Sequence, residues 1–437
     1  MTQKARAGQH ATAHWETATL GTPRPAAVRV SSGLMTALVL DADNRSALAV
    51  VRSLGAQGVT VYTADAVSES LAGHSRFSAG YHRLPSPLEA PSEYPQAVRE
   101  LAGRVGAEVV LPMVDASVML LCRDGAKQPA GDDADAAGAI AGRPALIAAP
   151  SAAAYLALSD KARLVGLAEQ VGIPVPRTIV AQDAASLRAA AAEIGFPCVL
   201  KPARSRVLLD GQTIGTSVTI ANDAGAVDAV AAQPWLGPVA CLVQAFIPGT
   251  GAGVFSLCGP EGPVAWFAHR RLREKPPRGG VSVLSESVAV DPKLKALSEV
   301  LLRSVDWFGP AMIEFRVDPE GRPWLMEVNG RFWGSLQLAI DSGVDFPWLL
   351  YRLCRGEAVD GPDDYEIGRR LRWLLGDLDH LLLQLRGKGT ANGFKPRAKA
   401  LAAFLASQGP KTRLEVRRSN DPAPFRRELK CWLGEVT

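Results

Sequence analysis

The sequence predicts an α/β protein in which a doubly wound, Rossmann-like unit precedes a mixed α+β region. Three observations predict it. The stretch Thr36–Leu40, Asn44–Gln57 and Val59–Thr63 reads as strand, helix and strand, with apolar residues at helical spacing in the middle segment. Residues 178–244 alternate strands and helices, the strands including Pro197–Lys201, Ser217–Ala221 and Ala240–Gln244. Residues 311–329 read as two strands around a turn sequence. A length of 437 residues allows two to three domains at roughly 150 residues each. With 47% apolar and 21% charged residues, the chain is neither fibrous nor largely disordered. A net charge of +4 spread over that length argues against a dedicated nucleic-acid binder.

Taken in order, residues 1–34 carry no apolar period and read as a flexible tail. A third apolar run, Glu108–Val114, ends in Asp115-Ala116-Ser117, a helix N-cap signal after a parallel strand. The first strand–helix turn holds Asp41-Ala42-Asp43-Asn44-Arg45 where a dinucleotide-binding unit would have G-x-G-x-x-G, which argues against an NAD enzyme. Gly125–Pro144 is a low-complexity surface loop, placing the end of the first domain near residue 149. A helix starts near Asp160-Lys161 and ends at Gly172, before Pro174 and Pro176. Residues 245–290 read as antiparallel strands, Leu294–Val305 as a helix, and 358–437 as a basic, helical extension. Six cysteines without a C-x-x-C pair fit a reduced compartment and no structural zinc. No apolar stretch of about 18 residues and no signal-peptide core are present, so a cytoplasmic protein without membrane contact is expected.

The hairpin carries the sharpest chemistry. A turn in Asp318-Pro-Glu-Gly321, centred between Glu320 and Gly321, places Glu314 opposite Glu327. Like charges facing across two strands destabilise the pair unless a divalent cation lies between them. Period-2 geometry adds Asn329 and Arg331 to the face of Glu327. Two carboxylates, an amide oxygen and an arginine on one face suit Mg²⁺ bridging phosphate oxygens, against the alternative of a solvent-facing hairpin with ordinary glutamates. Upstream, Lys201 ends the apolar strand Phe-Pro-Cys-Val-Leu-Lys201, and Lys161 opens a helix; each is a candidate point charge for phosphate. The segment His269–Ser282 packs four arginines and one lysine into its first ten residues, and its glycines and prolines predict an exposed loop. Its guanidinium groups are candidates for binding a substrate carboxylate or acyl phosphate.

In combination these residues resemble the ATP-grasp superfamily over residues 35–356. Asp160-Lys161 and Val199-Leu-Lys201-Pro look like its two nucleotide lysines. Leu242-Val-Gln244-Ala245-Phe246-Ile247-Pro-Gly249 resembles the hinge strand that binds adenine. Met312-Ile-Glu314-Phe and Glu327-Val-Asn329-Gly-Arg331 match its metal pair and E-x-N-x-R signature. The resemblance implies a pre-ATP-grasp domain over 35–149 and a two-lobed ATP-grasp domain over 150–357 with a lid at about 174–244. It implies ATP and Mg²⁺, or Mn²⁺ in its place, as cofactors. Lys161, Lys201, Gln244, Ala245, Phe246 and Ile247 would hold nucleotide, and Glu314, Glu327 and Asn329 the metal. Lys201 and Arg331 would be catalytic. The basic segment with Arg331-Phe-Trp333-Gly-Ser335 looks like the carboxylate–amine ligase branch, making Arg270, Arg271, Arg273, Ser282 and Ser335 the candidates for small-molecule carboxylate and amine substrates. The hinge departs from the family in having Gln244 and Ala245 where an acidic residue is common; Gln244 can accept through its side-chain oxygen, Ala245 only serve through its backbone. A non-amine or bicarbonate acceptor, a non-catalytic nucleotide sensor and a homodimeric assembly stay open.

Overall fold

β1 (Thr36–Val39), β2 (Thr60–Asp65), β3 (Ser78–Arg83), β4 (Val109–Leu111) and β5 (Leu146–Ile147) form a parallel sheet in the order β3-β2-β1-β4-β5. In β1, Ala37 and Val39 enter one apolar core and Leu38 another, so both faces are covered, as a parallel sheet requires. The crossovers are α1 (Arg45–Ala56), α2 (Tyr94–Val105) and α3 (Asp115–Arg123). This is a computed structural model; it describes residues 35–123, 144–203, 206–209, 212–215, 217–277, 280–386 and 394–436. The expected tail, and the expected loop except Pro144, lie outside the described residues.

Asp41 lies two residues past β1 with φ +53°, a backbone region an aspartate tolerates better than most side chains. Its buried carboxylate accepts from the N–H groups of Met113 (2.8 Å) and Val114 (3.0 Å) and from Ser117 Oγ (2.7 Å). The sequence turn that lacks glycines is thus a clamp on the loop after β4. Burial raises the Asp41 carboxyl to about 6, with the hydrogen bonds from Ser117 and Met113 opposing. A raised folded-state value means stability present below pH ~4 and lost as pH rises through about 6. From 3.8 to about 6, at ~1.4 kcal/mol per pH unit, the effect is about 3 kcal/mol. Asp41→Asn mimics the protonated form, so the variant is expected to gain on the wild type in melting midpoint between about pH 4 and 7; midpoints that run parallel over that range contradict it.

Beyond α4 (Ala152–Ser159) and α5 (Lys161–Gln170) lies a smaller antiparallel sheet of β6 (Thr178–Ala181), β7 (Cys198–Pro202), β10 (Thr219–Ala221) and β11 (Cys241–Ala245), in the order β10-β7-β11-β6. The hairpin of β8 (Arg206–Leu209) and β9 (Gln212–Gly215) stands between β7 and β10 in sequence. Helices α6 (Ala184–Ile194) and α7 (Ala224–Ala231) cover this sheet and build a separate core with it.

The largest sheet has seven strands: β12 (Thr250–Gly259), β13 (Gly262–Lys275), β14 (Val281–Val288), β15 (Gly309–Val317), β16 (Pro323–Asn329), β17 (Arg370–Arg372) and β18 (Thr412–Leu414), in the order β16-β15-β12-β13-β14-β17-β18. Helix α8 (Pro292–Arg303) joins β14 to β15, and α9 (Leu336–Ser342) and α10 (Phe346–Cys354) follow β16. The C-terminal part adds α11 (Leu374–Leu385), α12 (Phe394–Ala406) and α13 (Ala423–Val436). It is therefore not only helical, because β17 and β18 complete the large sheet. The described residues from 35 onward cluster as one unit, and one core runs from Val39 and Leu48 through Phe255, Phe267 and Trp333. The first sheet and the large sheet thus pack through shared side chains. No helix among the described residues is long and apolar enough to cross a membrane.

Candidate active site

The hairpin β15–β16 sets the site. Glu314 pairs with Glu327 and Met312 with Asn329, but nearer the turn Phe315 pairs with Leu325. The difference is a bulge that gives β16 one extra residue, Met326. The turn itself spans Asp318–Arg322, where the Asp318 carboxylate accepts from the Arg322 N–H (2.7 Å) and from Trp324 Nε1 (2.9 Å). The bulge brings Met326 Sδ to 3.8 Å from Lys201 Nζ. Asn329 Nδ2 donates to Glu327 Oε1 at 3.2 Å and reaches Glu314 Oε1 at 3.5 Å, so all three side chains share one face.

Four cations converge on these carboxylates. Asp160 caps α5 by accepting from the N–H groups of Ala162 and Arg163, which fixes Lys161 at the first turn with Nζ 3.8 Å from Glu327 Oε2. Lys201 projects from β7, and burial pulls its ammonium down to about 8, with Glu327 acting against that and Lys161 with it. Arg271 Nη2 lies 3.2 Å from Glu314 Oε1. Arg331, just past β16, places Nε 2.8 Å from Asp115 Oδ2 of the first sheet's α3. Burial raises the Glu314 carboxyl; Arg271 works against that rise and Glu327 adds to it. Two carboxylates and an amide whose oxygen turns in on rotation about χ2 suit a hard divalent cation, and the surplus of positive charge suits polyphosphate.

Lys201 supplies a prediction. Phosphate oxygens beside its ammonium would restore the ordinary lysine value, so nucleotide binding is expected to take up protons near pH 8 and not near pH 6, where Lys201 is already charged. Calorimetry in two buffers of different ionisation heat reads this directly. The uptake should vanish in Lys201→Met; equal uptake in both proteins contradicts the assignment.

The candidate adenine strand is β11. Leu242 pairs with Lys201 and Gln244 with Val199, so Gln244 lies on the Lys201 face. Gln244 is buried, its Nε2 donates to Thr178 Oγ1 (2.9 Å), and its Oε1 has no partner among the described residues. That oxygen is an acceptor waiting for a donor, which an exocyclic amino group provides. The Ala245 N–H already donates to the Arg177 carbonyl (2.9 Å), so the backbone donor expected there is taken. The base edge would fall to Phe246 and Ile247, and Phe246 carries the Arg316 guanidinium 5.7 Å above its ring.

The basic segment requires a correction. His269–Lys275 is not an exposed loop but the end of the 14-residue strand β13. Of its described arginines, Arg271 alone joins the site; Arg278 lies outside the described residues. Arg270 pairs with Glu286 (2.5 Å), which also holds Arg370, and Arg273 makes two 2.6 Å bonds to fully buried Asp377. These carboxylates neutralise the arginines and fasten β17 and α11 to the sheet. Ser282 spends its hydroxyl on Ser285 Oγ (2.7 Å) and the Leu284 carbonyl. Ser335 Oγ lies 2.8 Å from His269 Nε2, and burial pushes that imidazole down to about 3, so it is neutral. Gly330 has a packing role between Asn329 and Arg331: a Cβ there would meet Trp307 Cη2 at 2.6 Å. Asp115, Tyr155, His269 and Met326 were not singled out by sequence as site residues. Each reaches the site through partners distant in sequence, and only the strand-end position of Asp115 offered a local signal.

The fold is similar to that of solved ATP-grasp proteins. A family profile described as "ATP-grasp in the biosynthetic pathway with Ter operon" matches residues 238–375. The D-alanine–D-alanine ligase of Gloeobacter violaceus is 32% identical over 203 residues, covering 42% of this chain and 63% of that protein. The D-alanine–D-alanine ligase of Ectopseudomonas mendocina is 30% identical over 209 residues, covering 44% and 63%. The match thus spans less than two-thirds of the length of these curated relatives. Among solved structures, an ADP complex of N5-carboxyaminoimidazole ribonucleotide synthetase superposes with TM-score 0.59 at 13% identity, over 87% of this chain and 98% of that one. The L-amino acid ligase of Bacillus licheniformis gives 0.53 at 14%, over 73% and 74%.

Proposed function

We propose that the protein is an ATP-dependent carboxylate–amine ligase. The observation that carries this is the face of Glu314, Glu327 and Asn329 ringed by Lys161, Lys201, Arg271 and Arg331, and the relatedness to ligases that join two amino acids supports it. A substrate carboxylate oxygen attacks the γ-phosphorus of ATP, ADP leaves, and an acyl phosphate forms. An amine nitrogen then attacks the acyl carbon; the C–O bond to phosphate breaks, and amide, phosphate and a proton are released. Such chemistry needs positioning and charge neutralisation more than covalent help from protein. Mg²⁺ on Glu314, Glu327 and Asn329 would neutralise phosphate charge. Lys161 and Lys201 would neutralise the α- and β-phosphates, Gln244 Oε1 would accept from the adenine amino group, and Arg331 would stabilise the transferring phosphoryl and the later oxyanion. The sheet of β6, β7, β10 and β11, with the β8–β9 hairpin, would be the lid that excludes water and protects the acyl phosphate.

The test is ADP release over a panel of carboxylates, each with and without amines. The ligase reading expects ADP to depend on a carboxylate and to match amide formed when an amine is present. ADP release driven by bicarbonate alone indicates a different acceptor class. Tight nucleotide binding with no turnover over the panel supports a sensor and overturns the ligase.

A further inference from the structure

We infer that Asp115 is the receptor for the acceptor's ammonium group, so that the amine substrate enters as a cation through the crevice between β1 and β4. The inference rests on the ligase reading and goes beyond it in naming the charge state of the acceptor and the residue that selects it.

In the first sheet, β1 pairs with β2 on one side and β4 on the other, so chain order reverses between β1 and β4. Open parallel sheets bind ligands in the crevice outside the carboxyl ends of strands at such a switch point. Here the crevice is walled by Asp41–Arg45 and Pro112–Asp115, and Asp41 holds the second wall through the N–H groups of Met113 and Val114. Tyr155 fixes Asp115 from the far side, its hydroxyl donating to the Asp115 carbonyl (3.1 Å).

Asp115 differs from the buried carboxylates that fasten β17, α11 and the C-terminal segment. The carboxylates of Asp377 and Asp421, which fasten C-terminal elements, are 0% and 1% exposed, whereas the Asp115 side chain is 53% exposed. Arg331 engages only Oδ2; Oδ1 has the Tyr155 hydroxyl at 3.5 Å, the outer limit of a hydrogen bond. A half-exposed carboxylate with accepting capacity to spare therefore stands beside the arginine proposed to sit at the acyl carbon. Charge makes the same point. Lys161, Lys201, Arg271 and Arg331 repel a cationic amine, Glu314 and Glu327 are proposed for the metal, and Glu274 is spent on Arg271 (3.3 Å). An alkylamine is an ammonium ion in neutral water, so it needs a carboxylate at its end of the site, and Asp115 is placed there; one proton must then pass from the ammonium to solvent before the freed lone pair attacks the acyl carbon.

Asp115→Asn and Asp115→Glu test this against a purely structural role through Arg331. The acceptors are the panel's most active alkylamine, charged at neutral pH, and hydroxylamine, which is neutral there and traps the acyl phosphate as a hydroxamate. With Asp115→Asn the ratio of kcat/KM for the alkylamine to that for hydroxylamine should fall at least about tenfold, chiefly through the alkylamine KM, and Asp115→Glu should recover part of that loss. Hydroxamate and amide formation falling together would mean that Asp115 only holds Arg331, and an unchanged alkylamine KM overturns the inference too. If the panel shows no turnover, the ligase reading fails by itself, and glycinamide binding read by melting midpoint still decides. A shift in wild type that Asp115→Asn loses supports the ammonium site; no shift, or equal shifts, removes it.

Discussion

Glu327→Gln is expected to lower kcat by two orders of magnitude or more, at least about 3 kcal/mol of barrier, while the metal-free protein melts close to the wild type. Glu327 faces Glu314 across β15 and β16 and accepts from Asn329, so the substitution removes a charged ligand from a three-membered donor set. The sequence alone, seeing two facing glutamates, predicts that the change relieves repulsion and stabilises the metal-free hairpin. The folded site adds a counterweight, because Lys161 sits 3.8 Å from Glu327 and buried Lys201 draws on its charge. Losing Glu327 removes one repulsion and two attractions at a partly exposed carboxylate, where such terms are small. Lost activity with an unaltered midpoint supports the metal role. Retained activity contradicts it, and loss of activity together with a large drop in midpoint points to a structural ion pair instead.

The second large effect belongs to Arg331. Arg331→Met is expected to cut kcat by about 10²–10³, the usual consequence of deleting one donor to developing charge, with nucleotide affinity changed only a few-fold. Arg331→Lys should recover little, since a lysine cannot hold Asp115 through Nε while keeping a second guanidinium edge for substrate. Single-turnover phosphate release, beside equilibrium nucleotide binding, separates the two quantities. A weakened nucleotide affinity at normal kcat would place Arg331 on the ground-state phosphates and contradict the role proposed here.

Local chemistry made much of the fold legible. The strand–helix–strand start, the helix opening at Asp160-Lys161 and the strand ending near Lys201 all follow from periodicity and caps. The Glu314–Glu327 pairing was legible for a partly mistaken reason. The turn is centred one half-residue earlier than its Asp-Pro-Glu-Gly sequence suggests, with Val317 opposite Pro323, and the bulge at Met326 restores the expected pairing beyond it. Nothing in an apolar methionine within an apolar strand announces a bulge. The basic segment misled because its compensation is distant: Glu286 and Asp377 neutralise Arg270 and Arg273, and only the assembled sheet brings them together. For the same reason β17 and β18, three residues each and rich in arginine, look like surface until the edge of the large sheet needs them. Asp115 shows the limit most clearly, since its meaning depends on Arg331, 216 residues away.

In the proposed reaction ATP activates a carboxylate as an acyl phosphate. Oxygen-18 in the carboxylate of the panel's most active substrate tests it most directly. One labelled oxygen is expected in each phosphate released with amide, because the carboxylate oxygen that attacks phosphorus leaves with it. Phosphate free of label, with the heavy oxygen retained wholly in the organic product, would contradict it.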